Sequence, residues 1–101
     1  MPTFRSVGQG EERQYATLER IECAADRVVL HFRVGDAPMH ARARRLGDVE
    51  FISYRDDLKG SVGCGAREPP DVVYATLRGS ADPAVKEVVA VEFLPKGYSP
   101  R

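Results

Sequence analysis

Between Gln14 and Arg44 apolar and polar residues alternate through three successive runs, with reversals at Ala24-Ala25-Asp26 and at Gly35-Asp36. That pattern suits a strand meander, because a period of two places every second side chain on the same face. Val28, Leu30, Phe32 and Val34 define the buried face, with Val29, His31 and Arg33 opposite. A tight loop at Ala24-Ala25-Asp26-Arg27 then sets Cys23 opposite Val28 and Ile21 opposite Leu30, all pointing inward. Carried further, the same register would drive Glu19 against Phe32 inside the core. One extra residue near Glu19-Arg20 removes the conflict: Leu18 moves inward and the charges return to water. The sequence therefore predicts a bulged first strand, with the curvature that a bulge brings.

The second reversal can close in two ways. A two-residue loop at Gly35-Asp36 pairs Phe32 with Met39 and His31 with His40, whereas a four-residue loop ending at Pro38 sets His40 opposite Arg33. Met39, Ala41 and Ala43 face inward in both registers, and His40, Arg42 and Arg44 face outward. Further strands are predicted over 49–54, 72–77 and 87–94. Between them, Gly60 to Gly65 reads as a shaped loop with a short extended piece around Val62–Cys64, and Pro69-Pro70 stops regular pairing. Asp82-Pro83-Ala84-Val85 reads as one capped helical turn. No segment carries a helical apolar stripe, so the expected fold is all-β: a small antiparallel barrel of five or six strands, OB- or SH3-like. Residues 14–94 form its single domain, after a flexible lead-in over 1–13 that suggests no site and before an irregular tail over 95–101. The expected inward set is Ile21, Cys23, Val28, Leu30, Phe32, Met39, Ala41, Val73, Leu77, Val89, Val91 and Phe93.

A set of fragments spans the same region: Thr17-Leu18-x-x-Ile21-x-Cys23, Cys64-Gly65 followed by Pro69-Pro70, Val73-Tyr74, and Val91-Glu92-Phe93. Together they resemble a small β-domain of unassigned function found in bacterial, notably acidobacterial, hypothetical proteins, often after tetratricopeptide repeats. The chain departs from that family at Ala16, where Gly is usual, and in a longer stretch over 56–61. The resemblance implies an accessory or interaction domain rather than an enzyme, and it brings no catalytic residues.

Fifteen basic and fifteen acidic side chains cancel, so no global field draws the chain to nucleic acid or anionic lipid. No apolar run is long enough to cross a membrane, and the first residues lack the apolar core of a secretory signal. Cys23 and Cys64 have no metal or redox spacing; each falls at a strand end, where it is either a small buried hydrophobe or half of a disulfide. Cys64 as a nucleophile lacks a neighbouring base. The glycines before it lack the Lys-Ser or Lys-Thr of a phosphate loop, and Asp56-Asp57 reads as a solvated turn rather than a cation site. The candidate binding residues are therefore His31, Arg33, His40, Arg42 and Arg44 on the outer face of the second and third strands, joined by Arg27 and Arg45. Two histidines among arginines make a poor metal site, and no cofactor is expected. The expected partner is a protein or a neighbouring domain of a longer chain. The alternative is single-stranded nucleic acid, although the face lacks aromatics for stacking.

Overall fold

In the computed structural model, residues 4–54, 62–79 and 85–95 are described. Six strands follow in chain order: β1 Glu11–Cys23, β2 Val28–Val34, β3 Ala37–Ala43, β4 Glu50–Ser53, β5 Gly65–Gly79 and β6 Lys86–Phe93. A single 3-10 turn, Leu46–Asp48, lies between β3 and β4. The strands form one sheet in the order β3-β2-β1-β5-β6-β4, and a second contact between β3 and β6 closes five of them into a ring. All-β architecture is as expected; the purely antiparallel arrangement is not. β3 and β4 both run parallel to β6, at Ala41↔Lys86 and Arg42↔Glu87 and then at Glu50↔Ala90 through Ser53↔Phe93. β3 and β4 thus occupy successive stretches of one edge of β6. Between them the chain leaves that edge through residues 44–49.

The predicted bulge is present. Leu18 pairs with Phe32 and Arg20 with His31, leaving Glu19 as the extra residue. Ala16, Leu18 and Ile21 are consequently all buried although 18 and 21 differ in parity. Cys23↔Val28, Ile21↔Leu30, Phe32↔Met39 and His31↔His40 pair as the two tight loops require. Gly35 turns with φ +59, a conformation that side-chain-bearing residues avoid.

β5 is much longer than the predicted 72–77 strand and begins at Gly65, within the glycine-rich stretch expected to be a loop. Its pairing with β1 breaks where the prolines stand: Leu18 pairs with Asp71 and Arg20 with Ala66, so Arg67 to Pro70 lie opposite Glu19 alone. Proline donates no N–H to a ladder, which explains the break but not an end to the strand. Ladder pairing resumes beyond it, and Arg67 Nε bonds Asp71 Oδ2 across the loop-out at 2.5 Å. The peptide joining Glu68 to Pro69 is cis. The expected helical turn over 82–85 and most of the tail lie outside the described residues, as does Asp56-Asp57.

Two members of the expected inward set are corrected. Thr76 pairs with Ala90 but Leu77 with Val88, so a second bulge at Val89 turns that residue out and puts Val88 in the core beside Val91 and Phe93. Cys23 is exposed at the strand end. Within the ring, Leu18, Ile21, Leu30, Phe32, Leu77 and Phe93 are among the largest fully buried side chains. Leu18→Ala should cost about 3 kcal/mol of stability, and Glu19→Ala, one residue away, less than about 1 kcal/mol. Urea denaturation of the two variants checks this, and equal losses would contradict the division of faces at the bulge.

Candidate functional site

The outer face of β2 and β3 is built by the registers just described. His31 and His40 sit directly opposite one another with ring centroids 4.6 Å apart and planes at 71°. β1 adds a third column. Glu22 Oε1 lies 2.8 Å from His31 Nε2 and accepts from Arg20 Nη2 at 3.1 Å. The hydrogen bond with His31, reinforced by the charge of Arg20, holds the Glu22 carboxyl below its ordinary value. Arg33 Nε donates to Glu19 Oε2 at 3.2 Å and Arg33 Nη1 to the Asp36 carbonyl at 3.0 Å. The expected concentration of positive charge is therefore largely cancelled at this end. Its neutralising groups are Glu19 and Glu22, and the bulge itself delivers Glu19 to the surface.

The other end of the face is different. Asp26 and Arg27 of the first loop, Arg42, Ala43 and Arg44 of β3 and its exit, and Glu87 of β6 line an open cavity of about 240 Å³. Arg27 lies 3.6 Å from Asp26, and Glu87 accepts from Arg78 at 3.2 Å. Arg42 and Arg44 form no ion pair with another described residue. Arg45 stands apart, 3.8 Å from Asp48. The five candidate residues thus divide into two matched by carboxylates, His31 and Arg33, the His40 ring packed on His31, and an open cationic pair, Arg42 and Arg44. Among the described residues, no three His, Cys, Asp or Glu side chains are arranged to hold a metal ion.

Cys23 and Cys64 are joined in a disulfide with Cα atoms 5.8 Å apart. The bond links the end of β1 to the start of β5 beside the Ile21↔Gly65 pair. With its sulfur committed, Cys64 has no thiolate to act as a nucleophile.

A second polar cluster lies on the far side of the ring, where no site was expected. On β6, Glu92 points away from the core yet is fully buried. Its Oε2 accepts from the Tyr54 hydroxyl and from the Arg5 backbone N–H, both at 2.9 Å, and its Oε1 lies 3.7 Å from Arg13 Nη2. Burial first, then the bond to Glu92, raises the Tyr54 phenol above its ordinary value. Phe4 packs edge-on against Tyr54 and Tyr74, at 5.0 and 5.3 Å. The Arg5 guanidinium bonds Glu11 at 3.1 Å and Glu50 at 3.0 Å, which holds it above its ordinary value. Glu11 in turn accepts from the Gly8 N–H and from Arg5, and is held below its own. Phe4 to Glu11 is thus a docked segment and β1 begins three residues earlier than expected, so residues 4–13 pack on the ring where the sequence suggested a flexible lead-in with no site. The signal in the sequence was Glu92, the only charge in the apolar run from Val88 to Leu94.

Cys23→Ser should cost about 4 kcal/mol, the chain-entropy value for a loop of this length, read from denaturation midpoints with and without reductant. The two depressed carboxyls fix a second outcome. Glu11 and Glu22 bind protons more weakly folded than unfolded, so their contribution is complete above the ordinary value of 4.5 and is lost as pH falls through the lowered folded values. Acid titration of stability should show that loss, and Glu11→Gln should flatten it. Compared with protein-family models, curated sequences and solved structures, the chain has no significant match.

Proposed function

We propose that the ring is an OB-like barrel serving as a non-enzymatic accessory module, which docks a protein partner or a neighbouring domain on the outer face of β2 and β3. The strand order β5-β1-β2-β3 supports the barrel type: three hairpin-linked strands and a fourth that returns beside the first follow a Greek-key path. In such barrels the face of the second and third strands, with the adjoining loops, is where oligonucleotides and oligosaccharides bind. One observation carries the choice of partner. Glu19 and Glu22 share the face with Arg20, Arg33 and His31 and satisfy them. A nucleic-acid backbone would meet those carboxylates, and it would find no aromatic platform, since Phe32 is buried in the core. A protein surface of mixed charge suits the face, with an acidic side chain placed at Arg42 and Arg44. The disulfide supports an oxidising setting, and the resemblance to domains that follow helical repeats supports a role beside a larger partner.

The open pair Arg42 and Arg44 keeps nucleic acid as the second reading, and one pair of measurements separates the two. Chemical cross-linking in the source cells should recover a protein partner, and Arg42→Glu with Arg44→Glu should weaken that complex at least about tenfold. A short single-stranded oligonucleotide should not be retained at low salt. Retention that falls steeply with added salt would overturn the protein reading.

A further inference from the structure

The disulfide lies at the surface and ties down a short strap. Cys23 and Cys64 are both exposed, so a thiolate from outside can reach the bond between them. Cys64 belongs to residues 62–66, which stand beyond the loop-out that Arg67 to Pro70 make opposite Glu19. Among the described residues, this strap meets the ring through Val62, which packs on the core, and through two ladder positions, Arg20↔Ala66 and Ile21↔Gly65. Gly63, Cys64, Gly65 and Ala66 are all exposed. The chain behind the strap is held differently. Arg67 bonds the buried Asp71 and its guanidinium lies 5.7 Å from the centroid of the Phe93 side chain. From Asp71 to Arg78 the ladder with β1 then runs unbroken. Ordering the strap costs conformational entropy at every residue, and one half-buried valine with two ladder positions offsets little of it. The covalent tie supplies the rest.

We propose that Cys23–Cys64 is a redox-sensitive latch: a dithiol reductant opens it and releases residues 62–66, while the ring stays folded. A thiolate of the dithiol attacks one of the two sulfurs, the S–S bond breaks, and the departing cysteine sulfur leaves as a thiolate that takes up a proton. The second thiol of the reductant then loses its proton and displaces the mixed disulfide. The reductant ends as a disulfide and Cys23 and Cys64 as thiols, so two electrons and two protons have passed to the chain. Exchange with an oxidised disulfide reagent reverses the step. Exposed disulfides are the labile class in this chemistry, whereas structural ones resist it. Opening has a defined consequence for the sheet. Beyond its bulge, β1 keeps β2 along one edge and loses Gly65 and Ala66 from the other. That edge then carries unpaired backbone groups, and the core loses the cover of Val62. The latch does not depend on docking at the β2–β3 face, so failure of either reading leaves the other standing.

The test records the backbone amide resonances of the full chain before and after treatment with dithiothreitol in the absence of denaturant, with free thiols titrated by alkylation. Both cysteines should alkylate, and the resonances of β2 and of the Asp71 to Arg78 stretch of β5 should keep their native positions. Amide exchange over residues 62–66 should become faster by at least about tenfold. Removing the reductant and adding oxidised glutathione should restore the original spectrum. A Cys23→Ala, Cys64→Ala double variant should show the same local change with no reductant present, which separates release of the strap from any other action of the reagent. If that variant does not fold, the reduced native chain alone decides. A disulfide that stays intact under the dithiol overturns the proposal. So does a reduced chain whose 62–66 amides keep their native positions and exchange rates, and so does one that unfolds throughout, because the bond is then a global staple and not a latch.

Discussion

Leu18 and Arg20 are separated by one residue on β1, and the two neighbouring strands answer that residue in opposite ways. β2 places nothing opposite Glu19, whereas β5 places four residues there, Arg67 to Pro70. The mismatch bends β1 at a shared corner, as bulges do, and lets a single thirteen-residue strand pair along both of its edges. Leu18 and Ile21 then both reach the interior, and among the described residues the ring closes through two residue pairs between β3 and β6. The same corner settles the surface. Glu19, displaced by the bulge, becomes the partner of Arg33 and changes the electrical character of the β2–β3 face from basic to mixed.

The meander was legible because its evidence is local. Alternation, two short loops and one steric conflict at Glu19 determine the first three strands residue by residue. The rest depends on strands distant in sequence. Pro69-Pro70 argues correctly against regular pairing at its own position, but says nothing about pairing resuming at Ala66. Val89 alternates properly with Val91 and Phe93, yet the second bulge turns it outward, because β5 offers no residue opposite it. Parallel closure by β3 and β6 leaves no mark on either strand.

The candidate site was legible to the same degree and for the same reason. His31, His40, Arg33 and Arg42 were placed on one face by alternation alone. The neutralisation of His31 and Arg33 was not, since it requires the column of Glu19 and Glu22 on β1 to stand beside them. The Glu92 cluster was further from view. It joins Arg5, Arg13, Tyr54 and Tyr74 from widely spaced parts of the chain, and only the single charge in the apolar run from Val88 to Leu94 announced it.

β3 and β4 share one edge of β6, with residues 44–49 looped out between them. Chain length in that loop is decoupled from ring geometry, because both flanking strands are held by β6 whatever lies between. Arg44 stands at its start, on the wall of the cavity. Additions or losses at Arg44 and Arg45, short of Leu46 and Val49, which pack on the core, would reshape the rim while leaving the ring untouched, so this is the point at which a fold of this kind can acquire a different partner without having to be rebuilt.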